Sequence, residues 1–432
     1  MAKPWPAGLS LVAMGLLAGV PAVPAQDAGS GVAFRGFVSQ GYLKSSANRF
    51  LAAETDEGTF AFTEAALNFS AAPLPKLRVA GQLFARDLGA QGNNRVTLDW
   101  GLGEYRAWDR LGIRVGRVKL PVALYSTLAD ADVTRPEIFQ PSGAYPPEQR
   151  DLTNAIDGGG IFGTIPIGGA GYLEYEALVG TLDLDESYIL TRVTDTLSAA
   201  LVPAFSALQF SNVSYVVGAR AGKAKSTWSG YVEWRPPVSG LRVRGGLTGA
   251  NLDFSALTTY NAFAGPAPVS LAIRSTLHIE VPRQLTLSAE YSRGGLRLTA
   301  EHTRSRIEST TTLSGTPFPA PPPTAQVTRP VTTYGQAAYR LNERLQASGY
   351  YSVSYADADD KDGRSLVANG QPAHGAWVKD LAFTLRVDIN PHWLVKAEVH
   401  RFDGTYNLNA VENPNGLNAN WTLLAIKTTL HF

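Results

Sequence analysis

The chain has 432 residues, with 38 Lys and Arg against 37 Asp and Glu, a formal net charge of +1 and no cysteine. Near-neutrality gives nucleic acid nothing to hold, and the missing thiols exclude disulfide staples and thiolate metal sites. Charged residues make up 17%, below the roughly 25% usual for soluble domains, as expected of a wall that faces two solvents.

In chain order, residues 1–25 read as an export signal. Lys3 supplies the positive start, and Leu9–Val20 is an apolar core too short to span a bilayer. Val23-Pro24-Ala25 offers small residues for cleavage, so residues 26–432 form the mature domain. No later segment reads as a membrane helix. Alternation with a period of two recurs instead, which predicts β-strands.

Five strands come first, over Val32–Lys44, Thr59–Ser70, Leu77–Asp87, Val96–Ala107 and Leu111–Leu120. Gly159–Ile167, Tyr172–Thr181, Trp228–Arg235, Leu241–Asp253, Arg283–Ser292 and Leu296–Arg306 follow. Thr332–Arg340, Leu345–Tyr355, Trp377–Asp388, Trp393–Phe402 and Asn420–Phe432 complete about 16, an even number as in bacterial single-chain barrels. Phase slips near Gly103 and Gly116 read as β-bulges.

The connections alternate in length. Turns such as Trp108–Arg110, Arg293–Gly295 and Asn390–His392 are short. Between them lie the long segments Ser45–Gly58, Pro121–Asp157, Leu182–Thr227, Phe254–Pro282, Ile307–Val331, Ala356–Ala376 and Tyr406–Ala419. Turns on one side and long loops on the other are the outer-membrane pattern. The faces sort too: Leu77, Val79, Leu83 and Ala85 oppose Arg78, Gln82 and Arg86. Trp234, Trp377 and Trp393 sit near strand ends, where interfacial girdles belong, whereas Trp100 lies mid-strand. A strand-built membrane protein must close on itself to leave no unpaired edge in hydrocarbon. The expected fold is therefore an all-β transmembrane antiparallel barrel, too wide for side chains alone to fill.

The segment after the fifth strand, about residues 121–157 and the third loop on its side, is stiffened by Pro136, Pro141, Pro146 and Pro147 and carries Asp130, Asp132, Arg135, Glu137, Glu148, Arg150 and Asp151. Together with the hairpins, Val115–Pro121 leading in, Arg150–Gly160 leading out and the final Phe432, it makes the chain resemble the bacterial outer-membrane porins, of the general-diffusion or phosphate-selective kind. That resemblance implies a third loop folded into the lumen and a homotrimer. It also implies Phe432 as the signal read by the barrel-assembly machinery. The implied setting is the outer membrane of a Gram-negative bacterium, among lipid and lipopolysaccharide, with small hydrophilic solutes diffusing through.

Arg35, Arg78, Arg86 and Arg114 fall on inward positions of the first, third and fifth strands, near neighbours in an up-and-down barrel, and Arg117 and Lys119 would join them after a bulge. Opposite this basic wall, Asp130, Asp132, Glu137 and Asp151 would set up a transverse field, giving a weak preference for anions. The plainer alternative is that such arginines simply pair with neighbouring glutamates. Interspersed acids argue against outright phosphate selectivity. Asp357, Asp359, Asp360 and Asp362 form a solvated loop or a weak Ca²⁺ site lacking an EF-hand's closing Glu. The six histidines are scattered, and GxSxG and phosphate loops are absent, so no catalysis, cofactor or metal is expected. A barrel hydrolase around Glu301, His302 and Arg304, or an adhesive barrel with a plugged lumen, are the competing functions.

Overall fold

The computed structural model describes residues 31–51, 54–89, 91–315 and 321–432; the expected export signal lies outside them. The first seven strands are β1 (Ala33–Ser45), β2 (Thr63–Leu74), β3 (Leu77–Asp87), β4 (Thr97–Trp108), β5 (Leu111–Lys119), β6 (Ala155–Pro166) and β7 (Tyr172–Asp183). Four long ones follow: β8 (Phe210–Arg235), β9 (Leu241–Ala264), β10 (Ala267–Arg293) and β11 (Leu296–Ser314). The last six are β12 (Thr324–Thr328), β13 (Val331–Arg340), β14 (Leu345–Tyr355), β15 (Trp377–Asn390), β16 (Trp393–Gly404) and β17 (Asn420–His431).

Neighbours in sequence pair antiparallel, and β1 pairs with β17 from Phe37↔His431 to Ser45↔Leu423, which closes the sheet. β12 rides only on the upper part of β11, while β11 pairs directly with β13 from Leu296 to Arg304. The closed ring therefore has 16 strands. Alternation explains the partition of side chains. Leu424, Ile426 and Leu430 of β17 are exposed outward, whereas Leu423, Ala425, Lys427 and Thr429 are fully buried inside. Leu285, Leu287, Leu298, Leu381, Phe383 and Val399 continue the apolar outer belt.

Three expected loops are largely strand or helix. β8, β9, β10 and β11 have 26, 24, 27 and 19 residues, although about 10 suffice to cross a bilayer. Their upper halves stand as a tall wall above the ring. Phe254, Ala256, Tyr260 and Ala262 line its inner face. The alternation continues there, but its other phase mixes Ser255, Thr259 and Asn261 with Leu257 and Phe263, so it lacks a continuous apolar face. Pro282, which seemed to end a strand, sits in a bulge between Val281 and Gln284.

Two helical pieces matter to the lumen: the single turn α1 (Arg150–Thr153) and α2 (Tyr188–Ala207), which covers the inner face of the tall wall. Ser187 caps α2 by accepting the Leu190 N–H. Leu190 and Phe205 pack onto the wall, and the buried hydroxyls of Thr194 and Ser198 donate to carbonyls one turn earlier. Their polarity is thereby satisfied without water.

The bulges differ from expectation. The register slips where Gln82 pairs with Trp100 and Leu83 with Leu98, so Asp99 is the extra residue and Trp100 shares the inward face of Gln82. That accounts for a tryptophan at mid-strand. At Gly116 the backbone takes φ +127, yet pairing runs without a slip from Gly112 to Lys119. Beyond it, Arg117 Nε donates to the Asp99 carbonyl and Lys119 meets Asp130 of the third loop.

Candidate permeation site: the third loop and its cavity

Residues 120–154 leave β5, enter the lumen and cross it. Five prolines keep the segment out of a ladder, and it advances by short turns at Ser126–Leu128, Asp132–Thr134 and Pro147–Gln149 before α1. A buried irregular segment needs partners for its backbone groups. The inner wall opposite β5 supplies them. The buried ammonium of Lys396 donates to the carbonyls of Asp132, Arg135 and Glu137 at 2.7, 2.9 and 3.1 Å, and to the Asp132 carboxylate at 2.9 Å. The Glu398 carboxylate accepts the N–H groups of Ile138 and Phe139 at 2.7 and 2.8 Å, together with Thr384 and His400. Arg386 donates to the Val133 carbonyl, Thr332 to that of Gly143, and Gln336 to Glu137. Glu301 accepts from the Leu124 N–H and from Ser288, Tyr145 and Tyr334.

Asp132 therefore does not face a basic wall across open water. It is fully buried between Lys396, Lys427 at 3.3 Å and Thr429 at 2.7 Å. Burial by itself would raise its carboxyl, but the ammonium groups outweigh burial and hold it well below the usual carboxylate range. Asp130 is depressed in the same way: burial opposes the charge, and Arg150 and Lys119 prevail. Arg150 bridges Asp130 at 2.7 Å to Asp99 at 2.6 Å, and Lys119 reaches Asp130 at 2.8 Å. Glu148 is buried without such a partner, and its carboxyl is pushed up by burial against the attraction of Arg192.

The other expected wall residues divide. Arg114 binds Glu104 and Glu176 at 3.0 and 2.5 Å, and Arg117 binds Asp157 at 3.3 Å. Arg78 contacts Ser70, and Arg35 is exposed near the start of β1. Arg242 and Arg244 are matched by Glu233 and Glu290. Arg114, Arg117, Arg242 and Arg244 are thus matched by acids, whereas Arg35 and Arg78, away from the loop, have no acidic partner among the described residues. Among the wall residues that reach the loop, Arg86 is the exception: it approaches Asp151 only at 3.8 Å and the Pro147 carbonyl at 3.5 Å. Arg135 is another, since among the described residues its guanidinium makes no hydrogen bond or ion pair and its Nε is buried without a partner. Both line a cavity of about 110 Å³ between the loop and the β2–β3 wall, with Glu64, Asp130, Arg150 and Lys427 also at its edge.

Above the loop, the lumen on the β15–β17 side holds an apolar cluster. Phe50, Phe62, Ile138, Phe139, Phe402 and Trp421 form it with Leu43 and Leu423. Residues 405–419 and α2 meet over it, where Tyr188 donates to Glu412. The anchors Lys396, Lys427, Glu398 and Glu301 were not singled out as loop partners from sequence. Their signal was a charge on the inward phase of an otherwise regular strand, as in Leu424–Leu430.

Glu301 points into the lumen, while His302 and Arg304 fall on the alternate, outward phase, with His302 bonded to Thr333. The three do not converge. In the acidic loop, Asp360 accepts the Arg364 and Ser365 N–H groups, Asp359 pairs with Arg329, and Asp362 with Arg364. Phe432 joins β1 through two backbone hydrogen bonds to Gly36.

No family model matches the chain, and no curated protein matches its sequence. Among solved structures it is similar to OmpF of Salmonella typhi, solved with daunomycin, at TM-score 0.53 and 12% identity over 93% of this chain and 97% of that one. An anion-selective porin from Comamonas acidovorans gives 0.48 at 12% identity over 93% and 99%. OmpT, an outer membrane protein of Vibrio cholerae, gives 0.47 at 10% identity over 93% and 97%. The OmpF likeness shows a shared barrel fold.

Proposed function

We propose that the chain is an outer-membrane channel through which small hydrophilic solutes diffuse passively, with a preference for anions and no catalytic step. The observation that carries this reading is the strapped third loop. It narrows a closed barrel and leaves, on the side of β2 and β3, a cavity bordered by the weakly paired Arg86 and the unpaired Arg135. Uncompensated cations in a narrow, partly desolvated passage attract anions more strongly than the neutral pairs around them. The apolar outer belt supports the membrane setting.

The apolar cluster above the loop favours a second reading, a barrel with a plugged lumen. Purified protein in a planar bilayer under a salt gradient separates the two. Discrete conductance steps with an anion-selective reversal potential support the channel. A silent bilayer with verified insertion supports the plug.

A further inference from the structure

The geometry points to a binding site, within the cavity beside the third loop, for an organic monocarboxylate with a flat apolar body. This deepens the channel reading and rests on it for the route by which the ligand arrives. The cations at the cavity's edge are unequal. Arg150 is committed to Asp99 and Asp130, and Lys427 to Glu64 and Asp132. Arg86 and Arg135 keep donors to spare. A guanidinium offers a planar fork that matches the two oxygens of a carboxylate.

The remaining lining selects among anions. Phe62 and Phe139 stack at 5.3 Å with their planes 11° apart, and Tyr145 and Pro146 also line the cavity. Inorganic phosphate carries oxygens on every side, and those turned toward phenylalanine and proline would lose their water without a replacement donor. A carboxylate gathers its charge at one end and presents apolar surface elsewhere. The volume of about 110 Å³ is below the roughly 150 Å³ of an apolar cavity that takes up benzene, so no more than one ring enters and the carboxylate stays at the cavity's edge.

Isothermal titration of the full barrel in detergent tests this with benzoate, acetate, phosphate and benzyl alcohol. Benzoate is expected to bind at least about tenfold more tightly than the other three. Arg135→Gln should weaken benzoate about tenfold, with Arg135→Lys between the two because charge survives without the fork. Phosphate or benzyl alcohol binding as well as benzoate overturns the proposal, as does an unchanged affinity in Arg135→Gln. The ligand series on the unmodified protein decides the matter even if a variant fails to fold. Benzoate binding by a protein that passes no current leaves the site standing and removes the channel. Current without benzoate preference does the reverse.

Discussion

The two sides of the lumen use charge in opposite ways. On the side of β13–β17, charged groups are buried and matched to the third loop, and they fasten it: Lys396 gathers three carbonyls and a carboxylate, and Glu398 gathers two backbone N–H groups. On the side of β2 and β3, Arg86 and Arg135 border a cavity with few partners. A charged group facing this lumen is thus either spent on the loop or left with spare donors, and on the proposed reading only the second kind acts on a passing ion. Pairing, and not sign, decides which.

The sharpest way to break this comparison is to remove an anchor. Lys396→Met leaves Asp132 buried with Lys427 as its one remaining ammonium and frees three carbonyls. We expect a loss of about 3–5 kcal/mol in loop attachment, read as larger and noisier single-channel currents and new protease cleavage within residues 121–154. Unchanged currents and an intact loop would show that Lys396 is not the fastening.

A milder cut on the same side is Glu398→Gln. The N–H groups of Ile138 and Phe139 meet different oxygens, so the amide keeps an acceptor for one of them only and loses the charge, which should cost about 1–3 kcal/mol. Protease sensitivity should rise less than in Lys396→Met; equal sensitivity would contradict the ranking.

On the cavity side, Arg86→Glu should lower the anion-to-cation permeability ratio by roughly 2- to 5-fold. Arg114→Gln together with Glu176→Gln, by contrast, removes a matched pair without changing the net charge of the wall and should move the ratio little. A larger effect at Arg114 than at Arg86 would mean that pairing does not predict function.

The smallest effect expected near neutrality is that of pH. The Asp132 carboxyl is depressed in the folded protein, so its contribution is fully present above its ordinary value of 3.8 and is lost progressively as pH falls below it. Loop protection from protease should hold from pH 8 to 5 and weaken only in stronger acid. A loss of protection near pH 6 would point to another group.

The ring itself was legible in the sequence because lipid outside and water inside impose alternation on each crossing strand. The tall wall was not, since above the membrane the outward phase mixes Ser255, Thr259 and Asn261 with Leu257 and Phe263 and the lipid contrast fades. The third loop could be located from its prolines and its place after the fifth strand. Its pairing was hidden, because Asp132 meets Lys396 and Lys427, which lie 264 and 295 residues further along the chain. Nothing local in DADVTRP says whether an aspartate faces water or an ammonium.

The central claim is that the third loop is strapped to one wall and that the passage follows the other. Because the chain has no cysteine, thiol accessibility tests it directly. Ala129→Cys places a thiol at the cavity, and Ser352→Cys places one on the buried inner face of β14. A water-soluble, charged thiol reagent added during single-channel recording should block current through the Ala129→Cys barrel and leave the Ser352→Cys barrel unchanged. Block at Ser352→Cys with none at Ala129→Cys would put the passage on the wrong side of the loop.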